Sequence, residues 1–221
     1  MGILAFLLLI SICIGLVYIV HKHFGKEQFY LLGIIYSVLS YIMSFKITNI
    51  LGVDINTNII FSSGLLIILY YFVKKYSEKE SRKFIITTIL SCILCICFLI
   101  ITVLMTPSIY DKMGGFYQNI TLDNIAIVVL YPISLSITMF LGEYCFKELV
   151  KEDKNENIKT VFTLLGILFI DAAIFSYFSY AFIIQFNTAI GMAIENYLVK
   201  TGIMVIYMLI VNKLFMVKKV K

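Results

Sequence analysis

The stretch FTLLGILFIDAAIFSYFSYAF, Phe162 to Phe182, decides what kind of protein this is. Its twenty-one residues, wound as a helix, are enough to cross a hydrocarbon core of about 30 Å. One charge interrupts it, Asp171, close to its middle. A carboxylate at that depth costs at least about 2–3 kcal/mol, so it is expected to face protein or a water-filled cavity. A second charge, Lys200, interrupts another apolar run further along.

Runs of this kind recur through all 221 residues, of which 61% are hydrophobic, and the mean hydropathy is +0.99. A soluble domain of this size cannot hide that much apolar surface, and the ten-residue alternating segments of a membrane β-barrel are absent. The expected fold class is therefore all-α: a single polytopic membrane domain over residues 1–221. Seven spans are expected, at about 2–20, 28–49, 57–73, 84–106, 124–146, 160–184 and 192–213. The N-terminal run MGILAFLLLI has no basic lead and no small-residue cleavage pattern, so it is expected to persist as the first helix.

The lysines and arginines test that count. Fifteen fall on one side of the membrane under the seven-span scheme, in the linkers after the first, third, fifth and seventh spans, while only Lys112 falls on the other. Because cationic loops stay cytoplasmic, the N-terminus is expected outside and the C-terminus inside. The same distribution assigns the net charge of +5 to topology and gives no reason to expect a nucleic-acid partner. The five cysteines (Cys13, Cys92, Cys95, Cys97, Cys145) all lie in apolar runs. Without polar groups nearby to orient metal ligands, they read as packed, reduced thiols. Pro132 is expected to kink the fifth span, and Gly33, Gly64, Gly142 and Gly166 to let helices approach closely.

Five ionisable residues fall within spans, and depth separates them. Glu143 lies within about a turn of the inner boundary and Glu195 within a turn of the outer one, where headgroups and water are in reach. Lys46 is near the outer end of its span and can snorkel. Asp171 and Lys200 lie deeper, at nearly matching heights on two antiparallel neighbours, so they are expected to pair. Such a pair either fixes helix register or lines a polar cavity that Thr163 and Asn196 extend. No P-loop, HExxH motif or nucleophile elbow occurs, so neither an enzyme nor a cofactor is expected.

Four runs together resemble one family. FGKEQFYLLGIIYSVLSYIMSFKITNILG (24–52) carries Gly25, Lys26, Lys46 and Gly52 at matching places. KKYSEKESRKFI (74–85), TLLGILFIDAAIF (163–175, with Thr163, Asp171 and Phe175) and ENYLVKTGIMVIY (195–207, with Lys200) follow in the same order. The chain is identified on these as resembling the VUT family of queuosine-precursor transporters. Where that family has polar residues this chain has Tyr41, Tyr70, Lys74, Met139, Gly142 (next to Glu143) and Leu168.

The resemblance implies a multi-pass plasma-membrane uptake protein, in all expectation bacterial, taking a small planar solute such as a deazapurine. Substrate-binding residues under this reading are Asp171, Lys200, Lys46, Thr163, Glu143 and Asn196. Two alternatives stay open. The chain could serve as the substrate-capturing subunit of an energy-coupling factor transporter, docked on an ATPase partner. It could equally be a scaffold, sensor or immunity-type subunit that has lost its cargo. A homo-oligomer is compatible with all three readings, as is a bilayer environment.

Overall fold

The structure is a computed structural model that describes residues 2–105, 108, 113–119, 121, 124–151, 156–182 and 184–215. Lys112, the lone outer lysine of the charge count, and Lys154, Lys218, Lys219 and Lys221 lie outside the described residues.

Among the described residues the protein is a helical membrane bundle. Five helices are long and apolar enough to cross a bilayer: α1 (Gly2–His23), α4 (Glu78–Leu104), α6 (Ile125–Lys151), the segment built from α7 (Glu156–Asp171) and α8 (Phe178–Ala181), and α9 (Phe186–Phe215). Two shorter apolar helices, α2 (Lys26–Met43) and α3 (Ile59–Lys75), pack among them, and α5 (Gly114–Asn119) is a single short turn of helix.

The centre is α3. Thirteen of its seventeen residues are buried, and it touches α1, α2, α4, α6 and α9. That explains why its sequence, IIFSSGLLIILYYFV, is apolar on every face: each face meets protein. The outer helices are the reverse. On α6 the exposed large hydrophobic residues are Ile125, Val129, Ile133, Ile137, Phe140 and Tyr144, and on α4 they include Ile86, Leu90, Leu94 and Phe98. Three- and four-residue spacing places each set on one face. Apolar stripes this continuous on the outside are what lipid, rather than water, accommodates.

Two glycines are required by the packing. A Cβ on Gly64 would lie 2.5 Å from the Tyr36 ring, which crosses α3 there and donates its hydroxyl to the Cys13 carbonyl of α1 at 2.7 Å. A Cβ on Gly33 would overlap Phe84, whose ring stacks on Phe72. Gly142 sits closely under Leu69, but Gly166 has open space where a Cβ would go. The expectation of close approach therefore fails at Gly166. The cysteines are all free, yet Cys97 is exposed rather than packed.

Two span boundaries and the regularity of a third span are corrected. α2 ends at Met43, not near residue 49, and the chain then forms a hairpin, β1 (Ile47–Ile50) against β2 (Val53–Asn56), antiparallel with Ile50 opposite Val53. Leu51 and Gly52, both at positive φ (56° and 84°), make the two-residue turn whose twist suits a hairpin. At the other end of the sequence, residues 186–191, read as loop, belong to α9. The span 160–184 is not one regular helix: α7 (Glu156–Asp171) passes into a π-helical segment, Ala172–Tyr177, and then α8 (Phe178–Ala181).

Candidate functional site

Asp171 is the last residue of α7, immediately before the π-helical segment. Its neighbours on α7 and beyond, Leu168 and Ala172, are buried, so the carboxylate is held inside the bundle and must be matched there. Lys200, in the middle of α9, meets it: Nζ lies 2.5 Å from Oδ2. The lysine side chain is 4% exposed and that of the aspartate 15%.

The opposite oxygen is satisfied from α6. Ser134 Oγ donates to Oδ1 at 2.9 Å and Thr138 Oγ1 donates to it at 3.0 Å. These two residues are one turn apart, on the α6 face turned inward, just past Pro132. Proline has no N–H, so the carbonyl of Val128 loses its usual helical partner, and Ser136 Oγ donates to the Pro132 carbonyl at 2.7 Å. Three helices thus converge on one carboxylate, which accepts one charged and two neutral donors. A buried ion pair gains more than its desolvation cost only when its remaining lone pairs are also satisfied, and this one is so arranged.

An aromatic column leads away from the pair. Tyr41 tilts against Tyr131 at 5.7 Å, Tyr131 meets Phe175 edge-on at 5.4 Å, and Phe175 meets Tyr180 at 6.3 Å between centroids. The Tyr131 hydroxyl is buried without a hydrogen bond among the described residues.

At the far end of that column lies a second polar cluster, centred on Asn56 of the hairpin. Its Nδ2 donates to the Ser44 carbonyl at 2.7 Å and also meets the Tyr180 hydroxyl. Its Oδ1 accepts from the Asn58 amide at 2.9 Å, and its own amide donates to Asn196 Oδ1 at 2.7 Å. Next to it the Asp54 amide donates to Glu195 Oε2 at 2.9 Å. The hairpin is therefore bolted to α8 and α9, one turn of α9 away from Lys200.

Of the six residues expected to bind solute, the structure brings only Asp171 and Lys200 into contact with each other. Asn196 shares a face of α9 with Lys200 but spends its Oδ1 on the hairpin, while its buried Nδ2 has no hydrogen bond among the described residues. Thr163 is half-buried, two turns before Asp171 and about 12 Å along the axis. Lys46 is exposed in the turn leading to β1, where its carbonyl accepts from the Thr57 amide at 3.0 Å. Glu143 is buried but belongs to an ionic network between α4 and α6. Lys147 Nζ lies 2.7 Å from its Oε1 and Arg82 Nε 3.7 Å, and both cations also contact Glu78. The sequence reading missed Ser134, Thr138 and the Asn56 cluster.

Tyr41, Tyr70, Met139 and Leu168 are all buried, none more than 5% exposed. No family model, no curated protein and no solved structure matches the chain.

Proposed function

We propose that this protein is a small-solute uptake transporter of the plasma membrane with a solute site beside the Asp171–Lys200 pair. Seven spans, an outer N-terminus and a cytoplasmic C-terminus complete the reading, supported by the fifteen-to-one distribution of loop cations. The observation that carries it is the convergence of Lys200, Ser134 and Thr138 on Asp171 in the interior of the bundle. Charged side chains kept at that depth mark solute or ion pathways by default. Polar groups fix orientation while ring faces supply contact area, and here the Tyr41–Tyr131–Phe175 column lies alongside. The ligand class, a deazapurine or another planar base, comes from the resemblance. Asp171 at the junction of α7 with the π-helical segment, and Pro132 within α6, give both flanking helices a point at which to bend, as alternating access requires.

Uptake of labelled 7-deazaguanine into cells unable to make it tests this directly. Uptake conferred by the intact chain and abolished by Asp171→Asn supports the reading. No uptake, together with no loss on that substitution for any other planar base tried, removes it.

A second reading is favoured by one specific observation. Tyr41, Tyr70, Met139 and Leu168 fill the positions where the resembled family keeps polar groups, and all four are buried. On that reading the chain is a membrane scaffold, sensor or immunity-type subunit, and the ion pair only holds helices. Tyr41→Ala with Met139→Ala separates the two: opened space increases solute binding in a transporter and only weakens the fold in a scaffold.

A further inference from the structure

The first three turns of α4 carry a face unlike the rest of the bundle's exterior. Glu78, Lys79, Arg82, Lys83, Ile86 and Thr87 line an open groove of about 590 Å³. Their spacing places them on one side of the helix. Three are cationic and one is anionic, and the anion is already spent: Glu78 Oε1 lies 2.7 Å from Arg82 and 3.0 Å from Lys147. Lys79 has no ion pair among the described residues, and Lys83 holds its ammonium 5.7 Å above the Tyr30 ring. The start of a helix adds its own positive end to this surface.

One turn deeper the character changes. Ile86 is 49% exposed, Leu90 52% and Leu94 55%, a stripe at four-residue spacing that runs from the cationic mouth toward the middle of the membrane. Thr87 sits at the border between the two zones. A soluble anion would answer only the mouth, and a hydrocarbon only the stripe.

We propose that this groove is a binding site for an anionic phospholipid. The phosphate sits among Lys79, Lys83 and Arg82, the glycerol backbone reaches the Thr87 hydroxyl, and an acyl chain lies along Ile86, Leu90 and Leu94. A zwitterionic headgroup brings a cation toward the Lys79 and Lys83 ammonium groups, and Glu78, the carboxylate lining the groove among the described residues, is already doubly paired. The groove therefore prefers phosphatidylglycerol to phosphatidylcholine.

Native mass spectrometry of the full chain released from micelles, loaded with either lipid at equal chain composition, tests the assignment. The expected result is retained phosphatidylglycerol adducts, few phosphatidylcholine adducts, and about fivefold weaker retention for each lysine removed in Lys79→Gln and Lys79→Gln with Lys83→Gln. A matched pair elsewhere, Lys22→Gln with Lys75→Gln, leaves retention unchanged. Equal retention of the two lipids, undiminished adducts in the Lys79 and Lys83 variants, or equal loss in the control pair overturns the proposal. Displacement of the lipid by an equimolar amount of soluble glycerol 3-phosphate overturns it too, since the apolar stripe would then contribute nothing. All four lysines are on the exterior, and melting temperatures measured alongside guard against an unfolded variant.

Discussion

Asp171 accepts three hydrogen bonds, and each donor comes from a residue whose loss has a different expected cost. Thr138→Val keeps the shape of the side chain and removes one donor to a charged acceptor. Equilibrium unfolding in mixed micelles should show it destabilised by about 1.5–3 kcal/mol. Ser136→Ala, between the two hydroxyls that reach Asp171 but bonded only to the Pro132 carbonyl, should fall within about 0.5 kcal/mol of the parent. That contrast also explains what the sequence could not reveal. Hydroxyls inside helices ordinarily bond to the carbonyl one turn back, as Ser63, Thr88 and Thr102 do here, so Ser134 and Thr138 carried no distinguishing mark. Asp171 and Lys200 were legible because a charge in an apolar run has a cost that demands a partner. The glycines behave similarly. Gly64→Ala should cost about 1–3 kcal/mol through its overlap with the Tyr36 ring, whereas Gly166→Ala, with nothing to meet, should be neutral or slightly stabilising; thermal melts of the two variants decide this.

At the scale of elements, the hairpin between α2 and α3 depends on side chains more than on its own short ladder. Two strands of four residues are marginal alone, and Asn56 ties them to Ser44, Asn58, Tyr180 and Asn196. Asn56→Ala should therefore raise amide exchange across residues 46–58 by at least about tenfold while leaving α4 unchanged, an opening-energy loss of about 1.4 kcal/mol or more. The helical membrane bundle was readable from length and hydropathy, and five helices are long and apolar enough to cross a bilayer among the described residues. The hairpin was not readable, because its turn is Leu51-Gly52 rather than the Asn-Gly pair that announces such turns, and apolar residues continue across it. The π-helical segment was equally hidden: it differs from α-helix by one extra residue per bonded turn, and AAIFSY has no composition that betrays it.

For the whole molecule, the exposed apolar stripes on α1, α4, α6 and α9 place lipid around the bundle, and the loop cations are the basis of the proposed orientation. Leu51→Cys, at the hairpin tip, and Lys79→Cys, at the start of α4, should label oppositely in a cysteine-free background. A membrane-impermeant maleimide is expected to reach the first in intact cells and the second only after permeabilisation; the reverse pattern inverts the proposed orientation. Buried charge is the remaining global feature, since removing one member of the pair leaves the other stranded. Asp171→Asn alone should cost about 3–5 kcal/mol, with Lys200→Met restoring most of it. That double variant is the most direct measurement of the central claim, that the pair serves solute recognition and not only helix register. Purified, and assayed for both melting temperature and uptake of labelled 7-deazaguanine, it should melt close to the parent chain and transport nothing. Parent-level uptake in the folded double variant would contradict the claim outright.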